Sequence, residues 1–283
     1  MRERPPRTLR FRARDGLGLA AVDHAGPEGR TPILCLSGLT RSSGDFARLA
    51  ARHAGTRRVL ALDHAGHGAS DRPADITRYR IETSLADVLD AMAALHCPRA
   101  VIVGTSFGGI LAMVLSVLRP SAIAGVVLND IGPEIENVGL DFVQSFVGRD
   151  PALPSLEAAA AHLQATLPPL TLDAAGWQEF AALTYAPDGD GVWRPRWDTR
   201  LAQALHSQGA PPPLWGAFGA LAHAPLMLVR GALSDLLAAP TAARMGAMRP
   251  DMRFVEVAGC GHCPTLEEPP VVAALDRFLQ DIA

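Results

Sequence analysis

Ser106 lies in Gly104-Thr105-Ser106-Phe107-Gly108, a G-x-S-x-G pentapeptide, and the chain places Asp235 and then His262 downstream of it. A serine hydroxyl is a poor nucleophile until a base takes its proton, and the base needs an acid to fix its tautomer. Together, the three residue types suit acyl transfer through a covalent intermediate. The pentapeptide alone arises by chance, so its surroundings decide. Arg99-Ala100-Val101-Ile102-Val103 is a β-branched apolar run that reads as a buried strand, and Gly109 to Leu115 reads as a helix ending before Pro120. A serine at such a turn is held exposed. Glycines on either side keep a Cβ out of a crowded crossing, and amides at the helix N-terminus face developing negative charge.

The other two groups have similar settings. Pro225 to Gly231 reads as a strand followed by Asp235, and Arg253 to Val257 as a strand followed by the loop Ala258-Gly259-Cys260-Gly261-His262. Serine, aspartate and histidine thus each follow the C-terminal end of a strand.

That chain order resembles the α/β-hydrolase fold superfamily, of the serine esterase, lactonase and C–C hydrolase type. Matching segments include Ile33 to Leu39 after the third strand and Ala61 to Asp71 after the fourth, so the likeness covers nearly the whole chain. It implies a catalytic triad of Ser106, Asp235 and His262 and an oxyanion hole made by the backbone amides of Leu39 and Phe107. By analogy, one such donor lowers the barrier by about 3 kcal/mol. Asp130 is the alternative acid, because it follows the sixth strand, from which some relatives supply theirs.

Two departures stand out. Ser37-Gly38 replaces the His-Gly that relatives often carry before the oxyanion residue, and Asp63-His64-Ala65-Gly66 replaces Asp-x-Arg-Gly, removing a guanidinium that usually ties the loop down. His64 and His67, beside glycines in that turn, read as structural, and Glu267 and Glu268 as charge partners of the last helix's N-terminus. Serine at the nucleophile position argues against haloalkane dehalogenase and epoxide hydrolase chemistry, whose relatives carry aspartate there.

Composition narrows the alternatives. At 283 residues and 48% hydrophobic content, the chain can bury one large core plus an insertion. A formal charge of -3 gives no reason to expect nucleic acid or an anionic membrane as a partner. The sequence contains no lysine, which removes lysine Schiff-base chemistry and the P-loop lysine, and no G-x-G-x-x-G follows the first strand. No cofactor and no metal are therefore expected. Cys260-Gly261-His262-Cys263 resembles half of a zinc site but has no second pair, while nearness to His262 would expose a reactive thiol there to oxidation or alkylation. Six arginines fall in the first fourteen residues, where Leu9, Phe11 and Ala13 alternate with Arg10, Arg12 and Arg14 as in a charged edge strand. With no apolar signal core behind them, the expectation is a soluble cytoplasmic enzyme.

Strands alternating with helices predict an α/β fold with a mostly parallel eight-stranded sheet and helices on both faces. The strands are expected near 9–14, 18–23, 31–36, 58–62, 99–104, 124–129, 225–230 and 253–257. Leu85, Val88, Leu89, Met92 and Leu95 form one helix face behind Thr83 or Ser84 as cap, and a terminal helix from Pro269-Pro270 buries Val272, Leu275, Phe278 and Leu279.

The alternation lapses after about residue 134, so the core spans 1–134 and 225–283 around an inserted helical cap at 135–224. All four tryptophans, Trp177, Trp193, Trp197 and Trp215, fall in the cap. Gly38, Phe142, Phe146 and Trp193 are the expected substrate contacts, Trp193 because Val192 to Trp197 reads as an extended segment leaning toward the site.

The leading functional expectation is hydrolysis of a carboxylic ester or lactone of a small, largely apolar molecule. A C–C hydrolase acting on a dicarbonyl compound uses the same triad, and a non-catalytic ligand receptor is the distant alternative.

Overall fold

The computed structural model of the protein describes residues 5–209 and 211–282. Its first half contains β1 (Arg7–Arg12), β2 (Gly18–His24), β3 (Ile33–Leu36), α1 (Ala47–His53), β4 (Val59–Asp63), α2 (Ile81–Ala94), β5 (Ala100–Thr105), α3 (Phe107–Leu118) and β6 (Ile123–Asn129). Next come α4 (Asn137–Val147), α5 (Leu156–Thr166), α6 (Ala174–Thr184), the hairpin β7 (Tyr185–Pro187) and β8 (Trp193–Pro195), α7 (Leu201–Gln208) and α8 (Trp215–Ala220). The chain ends with β9 (Leu226–Gly231), α9 (Ala239–Met248), β10 (Arg253–Val257) and α10 (Pro269–Gln280).

Eight strands form one sheet in the order β1-β2-β4-β3-β5-β6-β9-β10, in which β2 alone runs against the others. Successive residues of the central strands enter opposite layers. Leu34, Leu36, Leu60, Leu62, Ile102, Val126 and Leu128 pack with α2, α3, α8 and α9, while Ile33, Cys35, Val59, Ala61, Val101, Val103 and Val127 pack with α1 and α10. Burial on both faces explains why these strands read as continuous apolar runs. β1 is an edge strand with its arginines exposed and Leu9 and Phe11 half-buried, and Arg10 pairs with Asp71. Arg2 and Arg4 lie outside the described residues.

Three local expectations are corrected. Helix α2 starts at Ile81 after extended Arg80, so Thr83 and Ser84 lie inside it and cap nothing. In α10 it is Val271 that faces the core, and Val272 is half-buried. Trp215 and Phe218 of α8 pack onto the α3 layer of the core, apart from the other three tryptophans. Among the described residues, no helix is long and apolar enough to cross a membrane.

A second apolar cluster ties together the segments after β6. Trp197 is fully buried between Phe146 and Tyr185, with ring centroids 5.8 and 6.0 Å away, and its indole N–H donates to the Val147 carbonyl at 2.8 Å. Trp177 meets Phe180 edge-on at 5.9 Å. These rings bury large apolar areas and so hold the helices around them together.

Candidate active site

The C-terminal ends of β3, β4, β5, β6, β9 and β10 open onto one edge of the sheet, the usual ligand edge of parallel sheets. At the end of β5 the chain turns sharply into α3, and Ser106 adopts φ 49°, ψ -113°. The turn is possible because neighbouring side chains are missing. A Cβ on Gly104 would come within 2.6 Å of the Gly108 backbone, and one on Gly108 would run into the Leu36 carbonyl. The strained serine is thus fixed by packing on both sides.

His262, in the loop after β10, reaches Ser106 with Nε2 3.0 Å from Oγ. Its Nδ1 lies 2.8 Å from Oδ2 of Asp130. The expected Asp235 is not there. It is half-buried in the turn after β9, with its backbone carbonyl packed close to Gly139 of α4. Ser234 takes the inward position of that turn instead, and its hydroxyl donates to Asp130 Oδ2 at 2.7 Å. Asp130 Oδ1 accepts from the Gly231 amide at 2.8 Å, so a fully buried carboxylate is met by three donors. Asp130 needs φ 54° to aim inward, a conformation that Asp tolerates better than most residues. Sequence pattern favoured Asp235, while the structure brings Asp130 to His262; both follow strand ends. The available signal for Asp130 was its place directly after β6, the strand beside the serine's own.

The loop after β3 lies against Ser106: a Cβ on Gly38 would be 3.5 Å from the Ser106 Cβ. Its support comes from the residues that replace the usual motifs. His64 Nε2 donates to the Ser37 carbonyl at 3.2 Å, and His67 Nε2 to the Leu39 carbonyl at 2.5 Å. Both rings are buried, and His64 also meets the Phe107 ring edge-on at 5.5 Å. Burial, with His67 adjacent, pushes the His64 pKa down to about 3, so the ring is neutral. Two imidazoles thus stand in for the missing guanidinium of the fourth-strand motif. The Ser37 hydroxyl donates to the Arg41 carbonyl at 3.1 Å and closes the loop on itself.

A cavity opens in front of Ser106 and His262. Gly38, Leu39, Phe142, Val143, Phe146, Leu163, Leu167 and Leu170 give it an apolar wall, while Arg41, Asp45, Arg48, Glu179 and Glu267 line another side. Of the expected contacts, Gly38, Phe142 and Phe146 are present and Trp193 is absent. Trp193 exchanges backbone hydrogen bonds with Leu153 instead. Arg41 was missed. Its guanidinium is gripped by Asp45, donates to the Thr184 hydroxyl and stacks 3.8 Å above the Phe180 ring, joining the loop to α6.

Cys260 and Cys263 flank His262 as free thiols. Burial pushes Cys260 up to about 12 and Cys263 well above the usual thiol value. A reactive thiolate beside the imidazole, one sequence-based expectation, is therefore disfavoured. Among the described residues, no group of three or more His, Cys, Asp or Glu is placed to hold a metal ion.

Comparison with known proteins gives consistent relatives. The protein-family model described as "Alpha/beta hydrolase family" matches residues 33–275. A 3-hydroxybutyrate-oligomer hydrolase of Cupriavidus necator is 30% identical over 262 residues, 87% of each chain. A 2-(acetamidomethylene)succinate hydrolase of Mesorhizobium japonicum is 29% identical over 249 residues, again 87% of each. The crystal structure of an alpha/beta hydrolase from Novosphingobium aromaticivorans DSM 12444 superposes with a TM-score of 0.93 at 36% identity, covering 98% of this chain and 99% of that one.

Proposed function

The chain belongs to the α/β-hydrolase family, and on that premise we propose that it is a serine hydrolase cleaving a carboxylic ester, lactones included, through an acyl-enzyme. One observation carries the reading: Ser106, His262 and Asp130 form an unbroken hydrogen-bonded run at the head of a largely apolar cavity. The Cupriavidus necator relative, named for hydrolysing 3-hydroxybutyrate oligomers, supports an ester of a short hydroxy acid as the substrate type.

In the proposed mechanism, Nδ1–H of His262 donates to Asp130, which leaves Nε2 free to accept the Ser106 proton as Oγ attacks the acyl carbonyl. The backbone amides of Leu39 and Phe107 receive the oxyanion, and His262 then protonates the departing alcohol. Water enters, gives its proton to Nε2 and attacks the acyl-serine, releasing the acid and restoring the hydroxyl. Phe142 and Phe146, stacked with centroids 6.0 Å apart, offer the acyl portion an apolar surface.

Labelling with an organophosphate tests the reading. Wild-type protein is expected to gain one adduct at Ser106 and lose activity on 4-nitrophenyl butyrate, while Ser106→Ala shows neither adduct nor turnover. Full turnover by Ser106→Ala refutes it. Product analysis on matched ester and 1,3-diketone panels distinguishes ester cleavage from C–C cleavage, which would use the same three side chains.

A further inference from the structure

Arg41, Asp45 and Arg48 follow one another at four- and three-residue steps through the turn Ser43–Phe46 and the start of α1, and all three line the cavity that holds Ser106. Charge in a cavity that is largely apolar asks for a ligand-side explanation. The Arg41 charge is answered within the core by Asp45, which takes its Nε and NH2 donors at 2.7 and 2.5 Å. Arg52, one turn beyond Arg48, is answered by Glu267 at 2.7 Å. The Arg48 guanidinium is met by Glu179 of α6, which accepts from both Nε and NH2.

That pair joins α1 to α6, and both side chains line the cavity. With side chains 60% and 47% exposed, it is screened by water and weakly held, so it exchanges at little cost. Two parallel N–H bonds to a carboxylate are also how an arginine receives a carboxylate ligand. Glu179 therefore stands where a ligand's carboxylate would sit, and when it withdraws, Arg48 is left as a positive charge facing the cavity.

We propose that Arg48 is a carboxylate subsite at the cavity rim, filled by Glu179 when no substrate is bound, and that the preferred substrates are esters carrying a free carboxylate beyond the scissile bond. The proposal rests on the ester-hydrolase reading above and narrows its substrate class. Arg48 touches the remote end of the substrate and takes no part in proton transfer.

The test uses a matched pair with the same scissile bond, the linear dimer of 3-hydroxybutyrate and its C-terminal carboxamide, with 4-nitrophenyl butyrate as a substrate lacking both groups. Wild-type kcat/KM is expected to favour the acid over the carboxamide by about tenfold or more, and the preference to shrink as salt rises. Arg48→Gln should bring the ratio close to one, mainly through KM for the acid, and Arg48→Lys should restore part of it. Glu179→Gln should act in the opposite direction and lower KM for the acid. An unchanged ratio in Arg48→Gln, or a raised KM in Glu179→Gln, overturns the subsite. If wild type cleaves 4-nitrophenyl butyrate but does not prefer the acid, the subsite fails while ester hydrolysis stands. If it cleaves none of the three, the ester reading falls and takes the subsite with it.

Discussion

Asp130 Oδ2 lies 2.8 Å from His262 Nδ1, across 132 residues of chain, while Asp235 stands aside in a neighbouring turn. The arrangement depends on Ser234, whose hydroxyl donates to the same carboxylate oxygen and also accepts from the Leu236 and Leu237 amides at 3.3 and 3.1 Å. One serine thus shapes the turn that carries Asp235 and steadies the carboxylate that meets His262.

The two aspartates should therefore respond differently to the same change. Asp130→Asn is expected to lower kcat by about 10⁴-fold, because an amide in that place favours the wrong imidazole tautomer. Asp235→Asn should stay within about twofold of wild type, as expected for a half-exposed site outside the hydrogen-bonded run. Steady-state kinetics on 4-nitrophenyl butyrate, with melting temperatures to confirm folding, check both. Equal losses in the two variants would count against the assignment.

His67 offers a second test, because its bond to the Leu39 carbonyl sets the position of a proposed oxyanion donor without touching substrate. Deleting an oxyanion donor outright typically costs 10²–10³ in kcat. His67→Ala loosens the donor but leaves it in place, so a loss of about tenfold in kcat with little change in KM is expected. His67→Gln, which retains a side-chain N–H, should recover part of it. A KM effect alone would mean that the loop shapes the binding cavity and not the oxyanion site.

Strand positions, the serine turn and the histidine loop were legible because each has a local cause: apolar runs, glycines at a close crossing, and a strand end. The partner of His262 was less legible. Asp130 and Asp235 both follow strand ends, and the contacts that single out Asp130 come from His262 and Ser234, 132 and 104 residues away. Trp193 misled for a related reason, since an extended segment next to a turn does not reveal which neighbour it pairs with, and Leu153 took the pairing. Arg41 gave no signal at all, because its partners Thr184 and Phe180 lie more than 130 residues away. His64 and His67 were readable as structural but not as supports of the Ser37 and Leu39 carbonyls.

The thiols beside His262 make a further prediction. With Cys260 pushed up to about 12 and Cys263 well above the usual value, almost no thiolate exists near neutral pH, and the thiolate is the attacking form. Native enzyme treated with iodoacetamide at pH 7.5 should keep its activity and show no adduct at either position by mass spectrometry. The same treatment in denaturant should modify both. Rapid alkylation of Cys263 in the native enzyme, with loss of turnover, would contradict this.

His64 ties the loop after β3 to the acid stability of the whole protein. In the fold its pKa is lowered to about 3, chiefly by burial, whereas an unfolded histidine titrates near 6.5. Between those values the unfolded chain binds a proton that the folded chain refuses, so the group's contribution is fully present above about pH 6.5 and is lost as pH falls through that window. The slope is at most about 1.4 kcal/mol per pH unit from this group. His64→Gln can still donate to the Ser37 carbonyl but cannot take the proton. Urea unfolding at pH 7, 6, 5 and 4.5 should then show the variant losing stability less steeply than wild type, with the two curves converging toward low pH. Parallel curves would mean that the His64 ring is charged in the fold or accepts a proton at no cost.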